Sequence, residues 1–184
     1  MSTFRRNNEP DTYFAPAGRA GEKELLRQVE IISGSPVVDG LLNTTSGLMA
    51  VLNQDRQIVA VNRYLLEKLK VKNSEQVLGL RPGEAIKCTH SREMPGGCGT
   101  SRFCSSCGAA ISIVTSLRTR QDTERRCVLR AARNGEPPAD LCLRVKSSPV
   151  EYSSTRFILL FLQDITEYQR LKALERVFLH DVSN

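Results

Sequence analysis

GLMAVLNQDRQIVAVNRYLLEKL, residues 47–69, decides the fold. Gly47-Leu48-Met49-Ala50-Val51-Leu52 is an apolar run of strand length, and Gln57-Ile58-Val59-Ala60-Val61-Asn62 is a second one. Asn53-Gln54-Asp55-Arg56 between them is polar and of turn composition, so the two runs read as a hairpin. From Tyr64 to Val71 the period changes, with Leu65, Leu66 and Leu69 at helical spacing.

Working outward, the upstream segment divides at Ser33-Gly34-Ser35-Pro36. Glu22–Ile32 has Leu25, Val29 and Ile32 on one helical face, and a second short helix is expected over 37–42. Residues 1–20 are polar, contain Pro10, Pro16 and Gly18, and are expected to form a disordered tail. Downstream, 73–78 has the pattern of a short helix, 88–107 is a loop rich in Cys and Gly, and 101–117 is expected to be helical with Thr100 or Ser101 as its cap. Three strands come next, at 126–132, 141–145 and 156–163. Asp164 can cap a last helix whose Ile165, Tyr168, Leu171, Leu174, Phe178 and Val182 recur at nearly the coiled-coil step. The order predicts an α+β domain: a five-stranded antiparallel sheet with helices on one face, an N-terminal helix over 21–33 and a coiled-coil-like C-terminal helix.

The 184-residue chain is 40% hydrophobic, enough for a folded core of one ordinary domain. Its net charge of +6 owes much to Arg5, Arg6, Arg19, Arg118, Arg120, Arg125, Arg126, Arg130 and Arg133. No nucleic-acid recognition motif accompanies them, so they read as solvated faces and no nucleic-acid partner is expected. No apolar run approaches the roughly 20 residues that span a bilayer, and the start lacks a secretory signal. A cytoplasmic protein without a membrane span is therefore expected, and in a reducing compartment clustered cysteines favour metal or redox chemistry over disulfides.

Four of the six cysteines lie in one loop, as Cys88-x9-Cys98-x5-Cys104-x2-Cys107. The last pair can present two thiolates to one ion, and Gly96, Gly97 and Gly99 let the backbone bring in Cys98. Zinc in a closed four-sulfur tetrahedron is the first expectation. An iron–sulfur cluster, which accepts the same soft ligands, is the alternative. Lys87, Arg92 and Arg102 are near in sequence and can offset the sulfur charge. His90 reads as a neighbour of the site rather than a ligand, and Gly108 after Cys107 disfavours covalent haem. A thiol oxidoreductase using Cys104-Ser105-Ser106-Cys107 is a remaining alternative. Cys127 and Cys142 stand on neighbouring predicted strands; a tight turn between Asn134 and Gly135 would set them opposite one another, although two small core residues is the preferred reading.

The hairpin with its adjoining helix, together with Phe161-Leu162-Gln163-Asp164-Ile165-Thr166, resembles the PAS fold over residues 34–166. One departure is Asp55-Arg56-Gln57, where such domains often place glycine in the first turn. CTHSREMPGGCGTSRFCSSCGAA, residues 88–110, resembles a cysteine-rich insert of some PAS-containing sensor kinases. Phe178-Leu179-His180-Asp181-Val182-Ser183-Asn184 resembles the phosphoacceptor box of histidine kinases. That resemblance implies His180 as phosphoacceptor, Asp181 as its helper and Asn184 as a residue used in dephosphorylation. The spacing suits it, because positions i and i+4 share one helix face. The implied assembly is a sensor domain at 34–164 and a signalling helix at 165–184. Implied partners are a second copy through that helix, an ATP-binding kinase domain, a response regulator and a candidate small-molecule ligand of the sensor. No nucleotide-binding motif comes after His180, so the sequence is read as ending just beyond the box. A metal-stabilised dimerisation or adaptor module, with His180 incidental, is the rival.

Overall fold

A computed structural model describes residues 11–132 and 137–182, with the side chains of 178–182 excepted. Two helices open it, α1 (Glu22–Ser33) and α2 (Pro36–Thr44). Ser35 caps α2 by accepting a hydrogen bond from the Val38 N–H, and Pro36 takes the first turn, where no amide is needed. The hairpin is β1 (Leu48–Leu52) and β2 (Ile58–Val61), followed by α3 (Arg63–Leu69) and the single-turn α4 (Pro82–Ala85). After the cysteine loop come α5 (Gly108–Thr119), β3 (Thr123–Ala131), β4 (Ala139–Tyr152), β5 (Thr155–Asp164) and α6 (Thr166–Val182).

The strands form one sheet in the order β2-β1-β5-β4-β3, every neighbouring pair antiparallel. β1 and β5 are central, which explains why both read as nearly unbroken apolar runs. One sheet face packs with α3 and α5 around Leu52, Ile58, Leu65, Ile113, Val145 and Leu160. The other face receives α1 and α2 through Ile32, Val29 and Val38 on Val51, Val59 and Phe157.

Asn62 ties the hairpin to α3 and to the segment before β1. Its side-chain oxygen accepts from the amides of Leu65 and Met49, and its amide nitrogen donates to the carbonyls of Thr45 and Gly47. At the exit, Asp164 accepts from the Thr166 amide and hydroxyl, and pairs with Lys68 of α3 at 3.0 Å. Burial alone would raise the Asp164 pKa. The hydrogen bonds from Thr166 and Lys68 outweigh it, so the carboxyl sits below its ordinary value.

Several sequence expectations change. Residues 11–20, expected as part of a disordered tail, lie against the cysteine loop: the Tyr13 amide donates to Thr100 and the Ala15 amide to Gly99, and Ala15 and Ala17 are buried. Residues 1–10 lie outside the described residues. The expected helix over 101–117 is a 3-10 turn at Arg102–Ser105 and then α5, whose first residue is Gly108. β4 extends well past Val145; Pro149 falls beyond the end of β3, where β4 is an edge that tolerates proline. Cys127 faces Leu143 in register and Cys142 faces Val128, so the two cysteines are offset by one residue and point to opposite sheet faces. All six cysteines are free thiols.

Candidate cysteine centre and signal exit

The loop that carries the cysteines is fixed from below by Arg81. This side chain is fully buried. Its guanidinium donates to the carbonyls of Asp55, Gly96, Cys98, Ala17 and Gly18, at 3.0, 2.7, 3.2, 3.1 and 2.6 Å. One side chain thus gathers the hairpin turn, the glycine-rich part of the loop and the N-terminal strap of residues 11–20. Burial, and then Arg56 and Arg19 nearby, lower its pKa to about 10, still charged at neutral pH. Glu84 completes the base of the loop: its carboxylate accepts from the amides of Arg81 and Cys98 and pairs with Arg19.

Above this base, Cys88, Cys98, Cys104 and Cys107 all line one cavity of about 280 Å³ between the loop, α5 and the sheet. Arg56, Arg81, His90, Ile113 and Leu143 line it too. Gly83 in α4 lets Cys98 and Cys88 meet above it; a Cβ there would stand 2.6 Å from the Cys98 sulfur and 3.5 Å from the Cys88 Cβ. Cys107 is the N-cap residue of α5, and its sulfur lies 3.6 Å from that of Cys127 on β3. The Cys127 thiol, opposed by burial but aided by the Ala110 and Ala109 amides at the helix start, holds Cys107 well below the usual thiol range. Burial has the opposite effect on Cys98, pushed up to about 12, and also raises Cys88. A ligating ion displaces those protons, since thiolates are the form that binds.

Among the described residues, no three His, Cys, Asp or Glu side chains approach closely enough to hold a single ion. The donor set nevertheless suits a thiolate-bound metal centre: four soft ligands, two of them from the single turn Cys104–Cys107, line one cavity with buried positive charge beside them. His90 stacks on Phe103 with ring centroids 4.1 Å apart, and its Nδ1 is 2.6 Å from the Glu93 carboxylate, which makes it a wall of the site. Of the cations expected from sequence proximity, Arg102 lies over the Tyr13 ring. The buried cations lining the cavity are Arg56 and Arg81, which come from other elements. Only their distance in sequence hid them.

The backbone of His180 and Asp181 continues α6. Asn184 lies outside the described residues, and so do the side chains of His180 and Asp181. The start of α6 is tied to the sheet: the Ile165 amide donates to the Cys142 carbonyl, the Cys142 amide to the Thr166 hydroxyl, and Arg126 to Gln169. Tyr168, Leu171, Leu174 and Val177 are exposed along it. Among the described residues, no helix is long and apolar enough to cross a membrane.

No family model and no curated protein matches the chain. Solved structures do. The PAS domain of nitrogen regulation protein NR(II) from Vibrio parahaemolyticus matches with a TM-score of 0.51 at 12% identity, covering 71% of this chain and 100% of that one. A PAS domain of an HTR-like protein from Haloarcula marismortui matches at 0.46 and 17%, covering 78% and 100%. One from a two-component sensor histidine kinase matches at 0.45 and 13%, covering 78% and 99%. At these identities the likeness is one of fold.

Proposed function

We propose that this chain, which has the PAS fold, is the sensory module of a two-component histidine kinase, and that Cys88, Cys98, Cys104 and Cys107 hold a thiolate-ligated metal centre in it. The observation that carries the metal assignment is the convergence of all four cysteines on one cavity walled by two buried arginines. Zinc would draw the four sulfurs together into a tetrahedron and cross-link the loop to α5. An iron–sulfur cluster would fill the existing gap and add a redox-active group.

The signalling reading draws support from the way the site meets the output helix. Cys127 faces Cys107, while the adjacent Arg126 reaches Gln169 of α6 at 3.3 Å. Neighbouring strand residues point to opposite faces, so a shift of β3 moves both contacts together. β3 is an edge strand, paired with β4 along one side and met on the other by the cysteine loop itself, at the Cys88–Ala131 bridge. The exposed apolar residues of α6 suit pairing with a second copy, and that helix leads to His180, which we assign as phosphoacceptor with Asp181 and Asn184.

Anaerobic purification, elemental analysis and an absorption spectrum test the centre. Iron with sulfide, or one zinc per chain, supports it; a metal-free protein that takes up neither refutes it. For the output, the protein expressed to its natural stop codon is incubated with radiolabelled ATP. An acid-labile label lost in His180→Gln supports the kinase assignment, and no label on the wild type leaves the adaptor reading instead.

A further inference from the structure

Arg56 occupies an unusual place. It closes the β1–β2 turn with φ of 66°, the left-handed region that favours glycine. A non-glycine residue there is strained, and such strain persists where the side chain does something else. The side chain is about 95% buried (5% exposed) and lines the cysteine cavity. One terminal nitrogen donates to the Pro16 carbonyl. Its Nε is the only buried side-chain nitrogen or oxygen among the described residues that has no hydrogen-bond partner. Gly99, with φ of 95°, leaves the space beside that Nε open: a Cβ there would lie 3.3 Å from it.

The charge count points the same way. Arg19 and Glu84 pair with each other, and Asp55 and Glu84 act on Arg56 and Arg81 only at a distance, without an ion pair to either guanidinium. Arg56 and Arg81 remain as two buried cations whose contacts are backbone carbonyls. Unpaired buried charge is strongly unfavourable, and arginine does not shed its proton to escape it. Four thiolates around a divalent ion leave two negative charges, and so do four thiolates around an oxidised two- or four-iron cluster.

We propose that Arg56 is a positioning residue for the cysteine centre: its free Nε–H donates toward the metal-bound sulfurs of the Cys98 and Cys104 side, and with Arg81 it balances a centre that carries two negative charges. This rests on the metal-centre reading above and specifies its charge.

The test uses the reduced, metal-free full chain and its Arg56→Gly and Arg56→Lys variants, made under anaerobic conditions. Each is titrated with Co²⁺, followed by thiolate-to-cobalt charge transfer, and each is unfolded in urea without metal. A second arm reconstitutes each with ferrous iron and sulfide and follows cluster loss to a chelator. Glycine relieves the strained turn, so Arg56→Gly should keep or raise metal-free stability while lowering metal affinity about 10–100-fold, the usual effect of losing a ligand's outer hydrogen-bond partner. Arg56→Lys should fall between. Arg56→Gly binding within twofold of wild type in both arms would overturn the inference and leave the centre standing. A fall in metal-free stability that parallels the fall in affinity would overturn it as well, by making Arg56 a structural residue. A wild-type chain showing neither charge transfer nor cluster would end the metal-centre reading, and this inference with it.

Discussion

Adding one methyl group at Gly108 should cost as much as truncating a core side chain, while the same change at Gly40 should stabilise the chain. Gly108 begins α5 and packs directly on β3. A Cβ built there meets the Arg126 carbonyl oxygen, lies 2.7 Å from its carbon and 3.2 Å from the Cys127 Cα. These are backbone atoms of a paired strand, so no side chain can rotate away. Restoring ordinary carbon–carbon contact requires the first turn of α5 to lift by about 1 Å. Overpacking a core costs about 1–3 kcal/mol even where side chains share the adjustment, so about 3 kcal/mol is expected for Gly108→Ala. For a domain of this size that lowers the melting temperature by about 6–12 °C. Gly40 sits inside α2 with nothing within 4 Å of its added Cβ, so Gly40→Ala should gain about 0.5–1 kcal/mol from helix propensity alone. The assay is urea unfolding of both variants in the reduced, metal-free chain. Because Cys107 caps α5, Gly108→Ala should also weaken Co²⁺ binding and Gly40→Ala should not. A Gly108→Ala loss below about 1 kcal/mol, the low end for overpacking, would mean that α5 does not press on β3 as described, and the reasoning would fall.

Asn62→Ala orphans the amides of Met49 and Leu65, and should cost about 2–4 kcal/mol in urea unfolding; a loss within about 0.5 kcal/mol, on the order of an exposed surface change, would contradict the buried cap. Arg81→Met leaves at least four carbonyl acceptors without their donor, while recovering the desolvation cost of a guanidinium. A net loss of about 3–5 kcal/mol is expected, with new protease cleavage in residues 13–18, and an unchanged digestion pattern would show that Arg81 does not hold the strap. Asp164 titrates below its ordinary value in the folded chain, so its contribution to stability is present above the unfolded pKa and disappears as pH falls through the folded one. Asp164→Asn should therefore flatten the stability curve on the acid side of that ordinary value and reduce stability at neutral pH; parallel curves for the two proteins would refute the assignment.

The fold is legible where hydrophobic period and burial agree. β1, β2 and β5 are central or doubly covered, and their apolar runs announce them. The hairpin turn, the Asn62 cap and Asp164 are local features that a short window contains. β4 reads short because Lys146, Ser147, Ser148 and Pro149 look like a loop. Ser147 is nevertheless fully buried, its hydroxyl bonded to Ser112 and its carbonyl to the Ser116 hydroxyl of α5. Polar residues satisfied by a distant helix carry no period. The start of α5 is obscured for a different reason: the apolar period runs back through Cys107 and places the cap at Thr100 or Ser101, whereas the helix begins at Gly108, where the Arg126 carbonyl lies against it.

The candidate site divides along the same line. Its sulfur donors are visible because cysteine spacing is itself a chemical statement, and the glycines between them supply the positive φ found at Gly97 and Gly99. Its positive charge is not visible, because an arginine in a sequence reads as surface until the fold buries it. Arg56 gives one faint signal, a large residue where a turn of this kind favours glycine, and the left-handed φ makes that departure intelligible. Arg81 gives none. Its position is dictated by carbonyls of residues 17, 18, 55, 96 and 98, drawn from three segments that only the folded chain brings together. A proposed ligand set can therefore be read from sequence while the charges around it cannot, since cysteines cluster along the chain and the arginines beside them cluster only in space.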